Sequence, residues 1–276
     1  MQPKNYRAIV AGILTLLGAL TTGAVSAAEW PSEPAAKGRA ITAESIRRDE
    51  GFGDTQSKMT MTLTSENNET SQRNLRISVL ETTAQGEGDR SLIVFDTPKD
   101  VQGTVLLTHT HVASDDDQWI YLPSVARTKR ISGANKSGAF LGSEFAYEDL
   151  ASQELDKYDY VWIRDEACPA PDQARSCYVV ERTPRDRNSG YKRQMAWIDG
   201  QDFLLRKVEF FNVQNRLLKT LTLTGYRKYG AFWRPHSYQM QNHLTGRGTE
   251  LKVQDIRFKS GLTANDFTEQ AMERQR

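Results

Sequence analysis

The chain has only two cysteines and four histidines in 276 residues, and no excess charge of either sign: 36 basic residues face 35 acidic ones. Balanced charge removes the electrostatic reason to expect nucleic acid as a partner. There is no Gly-rich phosphate loop and no Gly-x-Ser-x-Gly elbow, since Gly142-Ser143 lacks the pattern. His109 and His111 share one strand face and could start a zinc site, with Asp115, Asp116 and Asp117 close behind. Such a site needs three or four organised ligands, and the aspartates read more simply as a polar turn before Trp119. No metal and no cofactor is expected. The adjacent carboxylates Glu148 and Asp149 point in different directions on a helix, so no catalytic residues stand out and an enzyme is not indicated.

The beginning of the chain supplies a compartment. Lys4 and Arg7 precede an uncharged run from Ala8 to Val25, which ends in Ser26-Ala27-Ala28 before Glu29. This is the pattern of a secretory signal peptide over residues 1–28, with Ala27 and Ala28 equally suitable cleavage points. An uncleaved anchor is the alternative, because a spanning helix needs about 17–25 apolar residues; the threonines and glycines in the run favour cleavage. Cleavage would remove two basic residues and no acidic one, turning the net charge from +1 to −1. No cysteine lies near that point to carry an acyl anchor, so the expected product is a periplasmic protein. Residues 29–39 read as a flexible leader, and 40–276 as a single domain without a Pro/Gly-rich linker.

Cys168 and Cys177 flank the turn-forming Pro169, Pro171 and Asp172, with strand-like Tyr158–Ile163 before and Tyr178–Arg182 after. In an oxidising compartment they would form a disulfide closing a hairpin; two free thiols are the alternative, which export disfavours. Thr42 offers a cap for a short helix over 43–50, stopped by Gly51. Nearly everything else reads as strand. Met59, Met61 and Leu63 alternate with polar residues, as do Leu75, Ile77 and Val79. Further strands fall at 91–96, 104–112, 118–122, 191–198, 204–212, 217–226, 236–242 and 250–258. So many sequential strands with so little helix predict a mainly β fold, an antiparallel meander curling into an incomplete barrel.

A strongly curved sheet with few helices has little of its own to fill its concave face. Met59, Met61, Leu63, Leu75, Ile77, Val79, Trp119, Tyr121, Phe210, Leu221, Leu223 and Met240 are therefore candidates to line a hydrophobic cavity, with Tyr160, Trp162, Trp197 and Phe258 beside them. The same residues could form an ordinary packed core. Residues 132–152 interrupt the strand rhythm with three glycines and carry Phe140, Leu141, Phe145 and Leu150. They form either a moving lid or a fixed plug. A last short helix is expected around Phe267 and Met272.

Three stretches carry a family resemblance: Phe95–Leu107, Asp117–Pro123 with Arg127–Ile131, and Gly142–Leu150. Together they resemble the outer-membrane lipoprotein-sorting protein family, which is LolA-like. The resemblance implies an incomplete β-barrel closed by helices over a hydrophobic cavity, and a periplasmic carrier for lipid or lipoprotein acyl chains. It also implies an inner-membrane exporter of the resistance-nodulation-division type as partner, with transport toward the outer membrane. It brings no catalytic residues. The Gly-rich 132–152 segment is an addition to the classical lipoprotein chaperone, which leaves a free lipid as plausible a cargo as a lipoprotein. The alternatives are a non-carrier envelope assembly protein with a packed interior and, more remotely, a hydrolase using His109 or His111.

Overall fold

The structure is a computed structural model that describes residues 30–275. The expected signal peptide, residues 1–28, lies outside the described residues.

The strands are β1 (Asp54–Thr64), β2 (Thr70–Leu80), β3 (Glu87–Thr97), β4 (Val105–His111), β5 (Asp117–Leu122), β6 (Arg127–Arg130), β7 (Tyr158–Ala167), β8 (Ser176–Pro184), β9 (Tyr191–Asp199), β10 (Leu205–Asn212), β11 (Leu217–Thr224), β12 (Arg227–Tyr229), β13 (Phe232–Arg234), β14 (Ser237–Asn242) and β15 (Gly248–Phe258). All but β12 and β13 join one open, curved antiparallel sheet of 13 strands, in the order β6-β5-β4-β3-β2-β1-β15-β14-β11-β10-β9-β8-β7. The strands therefore form two meanders, β6 to β1 and β15 to β7, joined where β1 pairs with β15. The two free edges, β6 and β7, are consecutive in sequence. The chain that links them, residues 131–157, cannot pair as a strand with both distant edges, and it crosses the concave face.

Alternation sorts the side chains onto two faces. Met59, Met61, Leu75, Ile93, Leu106, Ile120, Phe210 and Met240 share the concave core with the residues that cross it. Leu92, Val94, Val105, Leu107 and Tyr121 face the other way. There they are covered by α2 (Glu269–Glu273), where Met272 of the helix and Phe267 just before it are fully buried. Thr268 caps this helix by accepting from the Ala271 amide. Farther along the sheet, the Cys168–Cys177 disulfide closes the β7–β8 hairpin and packs with Val179, Met195 and Trp197.

The first helix differs from expectation. α1 runs from Pro34 to Arg47, so residues 34–39 are helical and not a loose leader. Glu33, not Thr42, caps it, accepting from the amides of Ala35 (3.0 Å) and Ala36 (2.6 Å), and Pro34 fits the first turn. Thr42 sits mid-helix and donates its hydroxyl to the Gly38 carbonyl at 3.0 Å. α1 lies against β7, β8 and β9. A Cβ on Gly38 would stand 2.6 Å from the Trp162 amide nitrogen, so this close approach requires glycine.

Candidate functional site

Residues 131–157 decide what the concave face can hold. Gly138 to Tyr147 fold into a tight reversal, with Ala139 bridging Ala146, the Phe140 amide bonded to the Phe145 carbonyl at 2.7 Å, and the Tyr147 amide to the Gly138 carbonyl at 3.1 Å. The reversal drives Phe140 (0% exposed) and Phe145 (4% exposed) into the apolar cluster with Met59, Met61 and Leu75. Leu141, Tyr147 and Leu150 pack around them. Phe140 meets Phe95 and Tyr147 with ring centroids 5.6 and 5.5 Å apart.

Polar side chains from several strands hold this segment by its backbone and carboxylates. From β2, Arg73 donates to the Leu141 carbonyl at 2.7 Å. In β5, the Gln118 amide donates to the Tyr147 carbonyl at 2.9 Å. Lys219 of β11 donates to the Glu144 carbonyl (3.0 Å) and to Asp149 (2.6 Å), and the Lys219 and Asp149 side chains are each only 5% exposed. Asn242 reaches the Glu144 carboxylate, and Thr249 accepts from the Glu144 amide. Tyr191 donates to Asp149 at 2.7 Å; burial, reinforced by that carboxylate, raises the phenol well above its ordinary range. Glu148 accepts from the Ser189 hydroxyl and the Gly190 amide, yet burial still raises its carboxyl. Gly190 is also a tight fit, for a Cβ there would lie 2.7 Å from the Ser137 Cβ. In this structure the segment is a seated plug.

Open space remains beside it. A cavity of about 650 Å³ runs along the plug, walled by Glu148, Asp149, Gln153, Tyr158, Arg182 and Tyr191, with Leu205, Val208, Phe210 and Leu221 as its apolar part. A second, of about 710 Å³, lies toward the C-terminal end of α1 and includes Leu205, Leu223, Tyr226, Tyr238 and Asp89. Ser152, Gln153 and Leu205 line both. Volumes in this range suit small ligands. In the second cavity burial raises the Asp89 carboxyl to about 6.

The expected cavity residues divide accordingly. Met59, Met61, Leu75, Phe210 and Met240 meet in the concave core, with Leu63, Ile77 and Leu221 packed against it. The plug covers most of that surface, so the open space is lined by a mixed set rather than by these residues alone. Of the expected set, Phe210 and Leu221 border the first of these cavities and Leu223 the second. Val79 is half-buried on β2. Trp119 and Tyr121 belong to the opposite face, beneath α2, because β5 pairs Trp119 with Leu107 and Tyr121 with Val105. Trp197 likewise packs beside the disulfide, and Phe258 stacks on Tyr229 and Phe232 of the β12–β13 ribbon. His109 bonds the Phe267 carbonyl at 2.7 Å and His111 pairs with Asp117 at 3.1 Å; both are structural contacts. Among the described residues no three metal-ligating side chains come together.

With this geometry in hand, known proteins can be compared. An outer membrane lipoprotein-sorting protein domain from Vibrio parahaemolyticus is 45% identical, with a TM-score of 0.83 over 87% of this chain and 99% of that one. The chain belongs to the family of outer membrane lipoprotein-sorting protein domains. A DUF1329 family protein from Desulfovibrio piger shares 26% identity and a TM-score of 0.82, over 87% of this chain and 100% of that one. A LolA superfamily protein from Nitrosomonas europaea, at 23% identity and a TM-score of 0.66 over 85% and 98% of the two chains, shares the fold. Residues 87–274 also match a family described only as an uncharacterized protein. No curated protein matches. The open, curved antiparallel sheet is the fold that these relatives share.

Proposed function

We propose that the protein is a non-enzymatic periplasmic carrier that holds lipid or lipoprotein acyl chains against its concave face and passes them toward the outer membrane. Its partner in this reading is an inner-membrane exporter of the resistance-nodulation-division type. The observation that carries the reading is the 650 Å³ cavity left between plug and sheet in a chain of this family. Its apolar part, Leu205, Val208, Phe210 and Leu221, offers a guest chain about 0.8 kcal/mol per buried methylene. The remaining expected cavity residues, Met59, Met61, Leu75, Ile77 and Met240, would join it where Phe140, Leu141, Phe145 and Leu150 move aside.

A second reading, an envelope assembly protein with a filled interior, draws on the complete burial of Phe140 and the many polar bonds that seat the plug. Native mass spectrometry of protein released gently from the periplasm separates the two. The carrier reading expects co-purifying lipid and uptake of added lipid after its removal. A clean unliganded mass with no uptake rejects that reading and favours the second.

A further inference from the structure

Three cations sit on strand positions in phase with apolar residues: Arg73 with the buried Leu75, Lys219 with the half-buried Leu221, and Arg182 with the buried Val180. The plug occupies the first two. Arg73 holds the Leu141 carbonyl, and Lys219 holds Asp149 and the Glu144 carbonyl.

Arg182 meets this segment only through the Gln153 side chain, and no salt bridge to a carboxylate accompanies that contact. The arginine is 7% exposed and lines the 650 Å³ cavity. Its Nη1 donates to the Gln153 side-chain carbonyl, and the Tyr158 ring centre lies 5.7 Å away. Its Nε has no hydrogen-bond partner. No carboxylate pairs with Arg182 among the described residues. Burial lowers its pKa, against the opposing pull of Tyr158, Tyr160 and Asp149. Five of the six acids on the cavity wall are engaged elsewhere: Asp149 by Lys219, Asp116 by Lys157, Asp156 by Arg39, Asp186 by Lys136, and Glu148 by Ser189 and Gly190; the sixth, Asp115, forms no salt bridge with Arg182. A buried guanidinium with unmet donors is unfavourable unless something pairs with it.

We infer that Arg182 receives the anionic head of an amphiphile whose chain lies along Leu205, Val208, Phe210 and Leu221. This inference rests on the carrier reading and narrows its cargo. The planar fork of the guanidinium matches a carboxylate or a phosphate oxyanion. An uncharged guest would fill the apolar part and leave the cation unpaired.

The test uses the delipidated protein and four probes of equal chain length. Palmitate is compared with methyl palmitate, and palmitoyl lysophosphatidylglycerol with monopalmitoylglycerol, by calorimetric titration of wild type, Arg182→Gln and Arg182→Lys. Wild type is expected to bind at least one anionic probe about tenfold or more tighter than its uncharged partner, the range of a charge-assisted pair. The arm with the larger preference identifies the head as carboxylate or phosphate. Arg182→Gln should remove the preference and leave the uncharged probes unaffected, and Arg182→Lys should keep part of it. Equal binding of charged and uncharged probes by wild type overturns the inference and leaves the carrier intact, as does an equal loss of both in Arg182→Gln. Binding of no probe overturns both. Should Arg182→Gln fail to fold by near-ultraviolet circular dichroism, the preference measured on wild type still decides.

Discussion

The two ends of the concave face solve the same problem in opposite ways. Over β1–β3 and β14–β15 the hollow is filled by the chain itself, with Phe140 and Phe145 in the core and Lys219 matched to Asp149. Toward β8–β10 and the end of α1 the hollow stays open, with Arg182 unmatched and the Asp89 carboxyl raised to about 6 by burial. Where the protein supplies its own guest, Lys219 meets a carboxylate and Arg73 a carbonyl; where it does not, Arg182 and Asp89 are left in unfavourable surroundings. The polar bonding, more than the apolar surface, distinguishes filled space from space kept free.

The sharpest way to break this contrast is to empty the filled end. Phe140→Ala should cost about 3–5 kcal/mol of unfolding free energy, read from urea denaturation, and should increase uptake of a fluorescent fatty acid if the filled half can also host a chain. Lys219→Met leaves Asp149 buried without its cation and should cost about 3 kcal/mol at neutral pH; the companion Asp149→Asn change should recover part of that loss. Removing the disulfide with Cys168→Ser and Cys177→Ser should cost about 2–3 kcal/mol by the same denaturation measurement. That bond sits on the opposite face from the cavity, so ligand preference should not change.

The smallest effect belongs to the open end. Burial raises the folded-state pKa of Asp89 above its ordinary value of 3.8, to about 6. Below the unfolded pKa both states carry the proton, and the stability linked to this group is fully present. That stability falls as pH rises from about 4 through 6, because the unfolded chain ionises first. Asp89→Asn should therefore raise the melting temperature at pH 7.5 by roughly 2–4 °C, the shift expected for about 1 kcal/mol, and leave it unchanged near pH 4. A melting difference that is the same at both pH values would show that Asp89 is not held unfavourably, and the contrast between the two ends would weaken.

Much of this architecture was legible in the sequence. Alternation along Met59–Leu63 and Leu75–Val79 gave the strands and their dry face, and the turn residues between Cys168 and Cys177 gave the hairpin that the disulfide closes. Phe140 and Phe145 in a Gly-rich segment signalled burial, which the structure places in the core. Period two cannot say which side of a curved sheet is concave, so Trp119 and Tyr121 were assigned to the wrong face. The start of α1 was missed because Glu33 caps through its carboxylate ahead of a Pro-Ala run that reads as loose. The plug's anchors were missed too, although a signal existed: Arg73, Lys219 and Arg182 each interrupt a dry row with a cation. Their partners lie 68 residues away for Arg73 and 70 for Lys219, beyond any local pattern.

The seam between β1 and β15 has a consequence for assembly. Met59 lies opposite Val253, and Met61 opposite Leu251, so the middle of the sheet is stitched by two strands nearly two hundred residues apart. Loop closure of that length is slow to form. Each meander can zip locally as the chain emerges, but the two remain separate halves until the last long strand arrives. A chain cut short before Thr249 would then possess most of its hairpins and lack the central join that turns them into one curved wall.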